Sequence, residues 1–185
     1  MSHDRSAMKR PRQILKSYVY DEAGSITTEF VLWIPLLMTW FMLSVVLYDA
    51  NKNRNDAAKA AYTISDLISR KKDVDNAYLE QLKSLEDNLL PRTAGSHTLR
   101  LTSLRFVDGT YEVVWSKALG GGLPLTSAEL NPAAFPTTAD TDSLIVTEID
   151  VPYTPLSDWV GITAKTWSFD VVSRPRFANP LQKTD

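Results

Sequence analysis

The run from Phe30 to Tyr48, FVLWIPLLMTWFMLSVVLY, holds 19 residues and no charge. A helix rising 1.5 Å per residue needs about 20 apolar residues to cross roughly 30 Å of hydrocarbon, so this run is long enough to span. Trp33 stands near one end and Tyr48 at the other, where interfacial aromatics collect, while Trp40 falls mid-span and must face lipid or another helix. As a core helix the run would need cover on every face, more than a chain of 185 residues can supply. A cleavable secretory signal puts a shorter apolar core directly after a basic stretch and closes it with small residues. Here 24 mostly polar residues come first, and Asp49-Ala50-Asn51-Lys52 continues as helix, so the segment reads as a retained anchor. Arg10, Arg12 and Lys16 upstream balance Lys52, Arg54 and Lys59 downstream, and the flanking-charge rule therefore leaves orientation open.

The junction before the run is Asp21-Glu22-Ala23-Gly24-Ser25-Ile26-Thr27-Thr28-Glu29-Phe30. Glu29 abuts the apolar core, where an ionisable group costs up to a few kcal/mol if drawn inward and normally has a partner or a role. One reading is local: Ser25 caps the helix and Glu29 favours its positive end. The other rests on resemblance. A basic polar leader, Gly-Ser, a glutamate five residues after the glycine and then an apolar helix resemble a type IV prepilin processing site. That likeness implies that a membrane prepilin peptidase cuts after Gly24 on the cytoplasmic side. The new amine of Ser25 would then pair with the Glu29 carboxylate of its own or a neighbouring subunit, offsetting the cost of both charges near hydrocarbon. The string from Gly24 to Leu37, with Glu29-Phe30 and Pro35, is similar to the TadE-like pseudopilins of the tight-adherence (Tad/Flp) pilus system, and Val172-Ser173-Arg174-Pro175-Arg176 shares that likeness. The resemblance implies a bacterial inner-membrane protein, single-pass, with a cytoplasmic amino end and a periplasmic domain. It would work in pilus biogenesis and adhesion beside other Tad pilins, pseudopilins and inner-membrane assembly components. Pro35 removes a backbone donor inside the helix; a preset bend for docking and an ordinary membrane proline are equal readings.

Beyond Tyr48, Ala57, Ala60, Ala61, Ile64, Leu67 and Ile68 recur at helical spacing, predicting one helix from about Ile26 to Arg70, on the order of 65–70 Å long. Its small residues would permit close packing on the chain's own domain or on a neighbour. A second helix is predicted from Val74 to Leu90, with Leu79, Leu82, Leu85 and Leu89 at near-helical spacing and Pro91 as the stop. The intervening Arg70-Lys71-Lys72-Asp73 reads as a solvated turn. After Pro91 the pattern turns to β. Thr98–Val107 and Thr110–Lys117 flank Asp108-Gly109 as a hairpin, and Leu144–Tyr153 and Trp167–Ser173 read as two further strands. Trp167, Phe169 and Val171 share one strand face by alternation. Gly120-Gly121-Gly122 lacks the Lys-Ser/Thr of a phosphate loop and reads as flexible connection.

Four segments follow: a cytoplasmic leader over 1–24, a transmembrane helix over 25–48, an extracytoplasmic helical region over 49–91 and a β-rich domain over 92–185. The fold class is α+β, with a long amino-terminal helix leading into a pilin-like domain of a second helix and a small, mostly antiparallel sheet. A net charge of −2 gives no footprint for nucleic acid, and the absence of cysteine excludes thiol chemistry. His3 and His97 are too dispersed to suggest a metal or catalytic centre, and no cofactor is expected. Glu148 and Asp150 share a strand face as a carboxylate pair, the arrangement of a solvated sheet face. No nucleophile, base and orienting group converge, so the sequence reads as non-enzymatic. The competing reading is an uncleaved single-pass envelope protein whose outer domain binds a partner.

Overall fold

The computed structural model describes residues 25–184 apart from 94, 132, 134, 137, 158–160 and 178, with side chains from Thr27 onward. The proposed leader, Gly24 included, lies outside the described residues. Two compact units divide between Val45 and Val46. The first contains the start of helix α1, Ser25–Ser69, which includes Pro35. Its apolar side chains are bare: Phe30, Leu32, Trp33, Met38 and Trp40 are all more than half exposed. Among the described residues α1 is the one helix long and apolar enough to cross a membrane.

The second unit is a helix-and-sheet domain built on the later turns of α1. Ala57, Ala60, Ala61, Ile64 and Ile68 are essentially inaccessible to solvent. The helix closes as its last turn tightens: Arg70 N–H donates to Leu67 O, Lys71 N–H to Ile68 O, and the Ser69 hydroxyl to Asp66 O. Strand β1, Asp73–Val74, follows, and then helix α2, Asn76–Leu89. Asp75 caps α2, its carboxylate accepting from Tyr78 N–H at 2.7 Å, which satisfies one of the free donors of the first turn. The predicted start at Val74 was early because an apolar residue beside a helix does not reveal that its own backbone pairs elsewhere. Val74 lies opposite Lys183 of β6, Gln182–Lys183, in a two-stranded parallel ladder.

The sheet has the order β3-β2-β4-β5, antiparallel throughout, from strands β2 (Thr98–Val107), β3 (Thr110–Leu119), β4 (Ser143–Tyr153) and β5 (Lys165–Ser173). Asp108 and Gly109 both adopt positive φ, 49° and 83°, as a two-residue hairpin turn of primed type requires. A bulge shifts the β2–β3 register between Ser103 and Leu104. Its effect shows on β3. Val113 packs beside Leu104 and Tyr111 in a small outer cluster, whereas Trp115, two residues on, packs against the main core. Regular alternation would have put both on one face.

The main core joins both helices to one face of the sheet: Ala57, Ala61, Ile64, Leu79 and Leu82 meet Leu99, Leu101, Ile145, Ile149 and Val151. Trp167, Phe169 and Val171 pack against it from β5, all on one face as alternation predicts. Each fully buried Ile or Leu contributes about 1.5–3 kcal/mol, so this layer carries the domain's stability.

Candidate functional site

Of the residues that the sequence singles out, Glu29 lies exposed as the fifth residue of α1, and Pro35 lies about one and two-thirds turns further on. Two hydroxyls of the run bond back to carbonyls four residues earlier: Thr39 Oγ1 donates to Pro35 O at 2.7 Å and Ser44 Oγ to Trp40 O at 2.9 Å. In an apolar surround such bonds hide hydroxyls that would otherwise be unpaired. Gly24 lies outside the described residues, and Ser25 enters only as the first residue of the helix.

The domain grips α1 at two levels. Near the end of the apolar run, Asp49 accepts the Tyr153 hydroxyl at 3.0 Å and forms an ion pair with Arg92. Burial, and then the neighbouring Asp49 carboxylate, push the Tyr153 phenol above its ordinary pKa, so it remains a donor at neutral pH. A hydrogen bond to a charged partner contributes about 1.5–3 kcal/mol. Tyr153→Phe should therefore lower the unfolding free energy by about 1.5 kcal/mol in urea, with the slope against denaturant unchanged.

At the other end, the Val172–Arg176 run closes over the last turns of α1. Ser65 Oγ lies 3.0 Å from Ser173 Oγ, Arg176 N–H donates to Ser69 O, and the Arg176 guanidinium sits 2.8 Å from Asp66. Arg174 pairs with Asp142 at 3.2 Å. This run therefore has a packing role within the domain.

The Glu148 and Asp150 pair is more than a solvated face. Arg100 forms a two-pronged ion pair with Glu148, which raises the guanidinium pKa, and Thr98 reaches Asp150 at 3.4 Å. Asp170, opposite Glu148 on β5, is held above the ordinary carboxylate range by burial first and by Glu148 and Asp150 next. The arrangement is a salt-bridged sheet face.

A second charged group lies deeper. Lys83 Nζ sits 3.0 Å from both Glu86 Oε2 and Asp87 Oδ1, and His97 Nε2 is 2.9 Å from Asp87 Oδ1. Glu86 and His97 are fully buried. The Lys83–Glu86 contact is an ion-pair distance without hydrogen-bond alignment. Burial pushes the Glu86 carboxyl up, against the opposing pull of Lys83 and His97. Asp87 lies the other way: desolvation raises it, but hydrogen bonds from Lys83 and from Gly95 N–H outweigh that and hold it low. Nδ1 of His97 lies 2.9 Å from Thr93 O. Among the described residues no His, Cys, Asp and Glu side chains group as a metal site. The helical spacing of Lys83, Glu86 and Asp87 was visible in sequence, whereas the burial of Lys83 and Glu86 was not.

No family model, curated protein or solved structure matches the chain.

Proposed function

We propose that the protein is a single-pass membrane protein without catalytic activity, whose water-exposed domain works by binding a protein partner. The observation that carries this reading is the contrast along α1. Side chains of the uncharged run are exposed from Phe30 to Phe41, whereas Ala57, Ala61, Ile64 and Ile68 of the same helix are the core of a packed domain. Bare apolar helix of spanning length is unfavourable in water and at home in lipid. Asp49, Glu86 and Glu148 are each engaged with a basic side chain, an arrangement that holds a surface in shape for recognition more than it supports proton transfer.

A narrower reading makes it a minor pilin or pseudopilin of the Tad type, cut after Gly24 by a prepilin peptidase and inserted with its amino end in the cytoplasm. Its support is the residue string around Gly24 and the position of Glu29, which puts a carboxylate at the very start of an apolar helix. In that role Glu29 orients the mature amine and fixes subunit register in the inner membrane, and the protein helps to start or stabilise a pilus used in adhesion.

The two readings separate by intact mass and amino-terminal sequencing of the chain from its native membranes. A chain that begins Ser25-Ile26-Thr27 supports processing and the pseudopilin role. A chain that still begins at Met1, in cells with an active prepilin peptidase, supports the uncleaved partner-binding protein and removes the narrower reading. Glu29→Ala should leave membrane retention and domain stability unchanged while abolishing co-purification with pilus components; co-purification at the wild-type level removes the role assigned to Glu29.

A further inference from the structure

The last residues of the apolar run, Val46 to Tyr48, belong to the same unit as a cavity of about 120 Å³ that opens beside them. A single water needs roughly 10–15 Å³ on this measure, so the space suits a group the size of about ten waters. Its wall carries charge of both signs: the Asp49–Arg92 ion pair, with Asp56 and Lys52 beside it. Asn53 also lines it. That side chain belongs to a residue 9% exposed, and its Oδ1 is buried with no hydrogen-bond partner. A buried acceptor left empty costs about 1–3 kcal/mol, which calls for a donor from outside the chain.

A larger cavity of about 600 Å³ shares Asn53, Arg92 and Thr93 with the first and continues along Tyr153, Pro155 and Leu156. Leu156 is 60% exposed there, an apolar side chain beside a polar wall. Asn53 lies five residues past Tyr48, about 7.5 Å along the helix axis, which is headgroup depth if the run spans the bilayer.

From this juxtaposition we infer that the paired cavities hold the headgroup of a zwitterionic phospholipid with a primary ammonium, a phosphatidylethanolamine. The ammonium, with three N–H donors, fills the Asn53 Oδ1 acceptor and faces Asp56. The phosphate faces Lys52 and Arg92, the group suited to forked contact with phosphate oxygens. The ester end of the lipid lies along Pro155 and Leu156. A quaternary ammonium such as that of phosphatidylcholine has no N–H to give, and a headgroup without an amine leaves the buried Asn53 Oδ1 acceptor without a donor. This inference rests on the membrane-spanning reading of α1.

The test is native mass spectrometry of the full chain in detergent, with phosphatidylethanolamine and phosphatidylcholine of identical acyl chains in equal amounts. At least fivefold more ethanolamine adduct is expected. Asn53→Ala and Asp56→Asn, each checked for wild-type thermal unfolding, should bring the ratio close to one. Equal retention of the two lipids by the wild type overturns the assignment, as does an undiminished preference in folded variants. Competition by soluble O-phosphoethanolamine as strong as by the lipid also overturns it, by making the cavity a site for a free phosphoamine. Alkaline carbonate washing of native membranes distinguishes failure of the premise. A chain released by carbonate removes the anchor and this site together, whereas a retained chain without lipid preference removes the site alone.

Discussion

Lys83→Met lowers the stability of the domain by about 3–5 kcal/mol at neutral pH, the range observed when one partner of a buried ion pair is removed. Glu86 is fully buried, and Lys83 is its nearest cation, at 3.0 Å. Without it the carboxylate keeps His97 Nε2, at 3.5 Å, as its remaining close basic neighbour. The pH dependence identifies the mechanism. Burial already holds Glu86 above its ordinary value, so the folded state binds this proton more tightly than the unfolded chain. The associated stability is fully present below the unfolded pKa and is lost as pH rises through the folded one. Asp87, held low, has the opposite sign: its contribution is present above its unfolded pKa and is lost as pH falls through the folded one. In Lys83→Met both carboxylates lose the cation, and the deficit against wild type is largest at neutral pH. It shrinks as acid neutralises Glu86. Urea titrations of both chains across the acid range check this. A deficit that is constant with pH would assign the loss to packing of the lysine stem instead of charge.

Gly120→Ala destabilises by about 2–5 kcal/mol, combining the cost of a left-handed conformation with that of overpacking. Gly120 has φ of 75°, and an added Cβ would lie 2.5 Å from His97 O and 2.8 Å from Lys83 Cε. The lysine tip can yield, but the backbone carbonyl cannot without moving β2. Gly122→Ala is the matched control: φ is 85°, yet nothing lies within 4 Å, so only the conformational cost of about 1–2 kcal/mol applies. Thermal unfolding of the two variants should separate them by several degrees. Equal losses would show that the strand start next to His97 adjusts freely.

These two positions also show how far sequence reading reaches. The helix from Ile26 to Arg70 was legible because its signals are periodic and local, and the structure places its ends within one residue, at Ser25 and Ser69. The Asp108-Gly109 hairpin was legible for the same reason: two residues fix the turn, and the turn fixes the register from Val107–Thr110. Gly120-Gly121-Gly122 looked like loose connection because a glycine needed for close approach is written in the same letter as one needed for flexibility. What settles its role is Lys83 and His97, distant along the chain. The β1–β6 ladder was missed because two-residue strands leave no alternation to read. The Asp49–Arg92–Tyr153 group escaped because none of the three is unusual where it stands. The cavity at Asn53 was hidden for the same reason, since an asparagine on a polar helix face announces nothing until its neighbours bury it.

The carboxyl-terminal segment has a mechanical consequence. Arg176 is fastened to Asp66 and Ser69 at the end of α1, Leu181 O accepts from Trp115 Nε1 and Ser103 Oγ of the sheet, and β6 runs parallel to β1 just after the helix. A pull delivered along the later turns of α1 is thereby shared with β2 and β3 through a tether of hydrogen bonds as well as through apolar contact. Apolar faces slip past one another with little resistance, whereas a row of bonds loaded side by side must yield together. The tail is therefore a tie between the end of α1 and the sheet, which the apolar core alone would not supply.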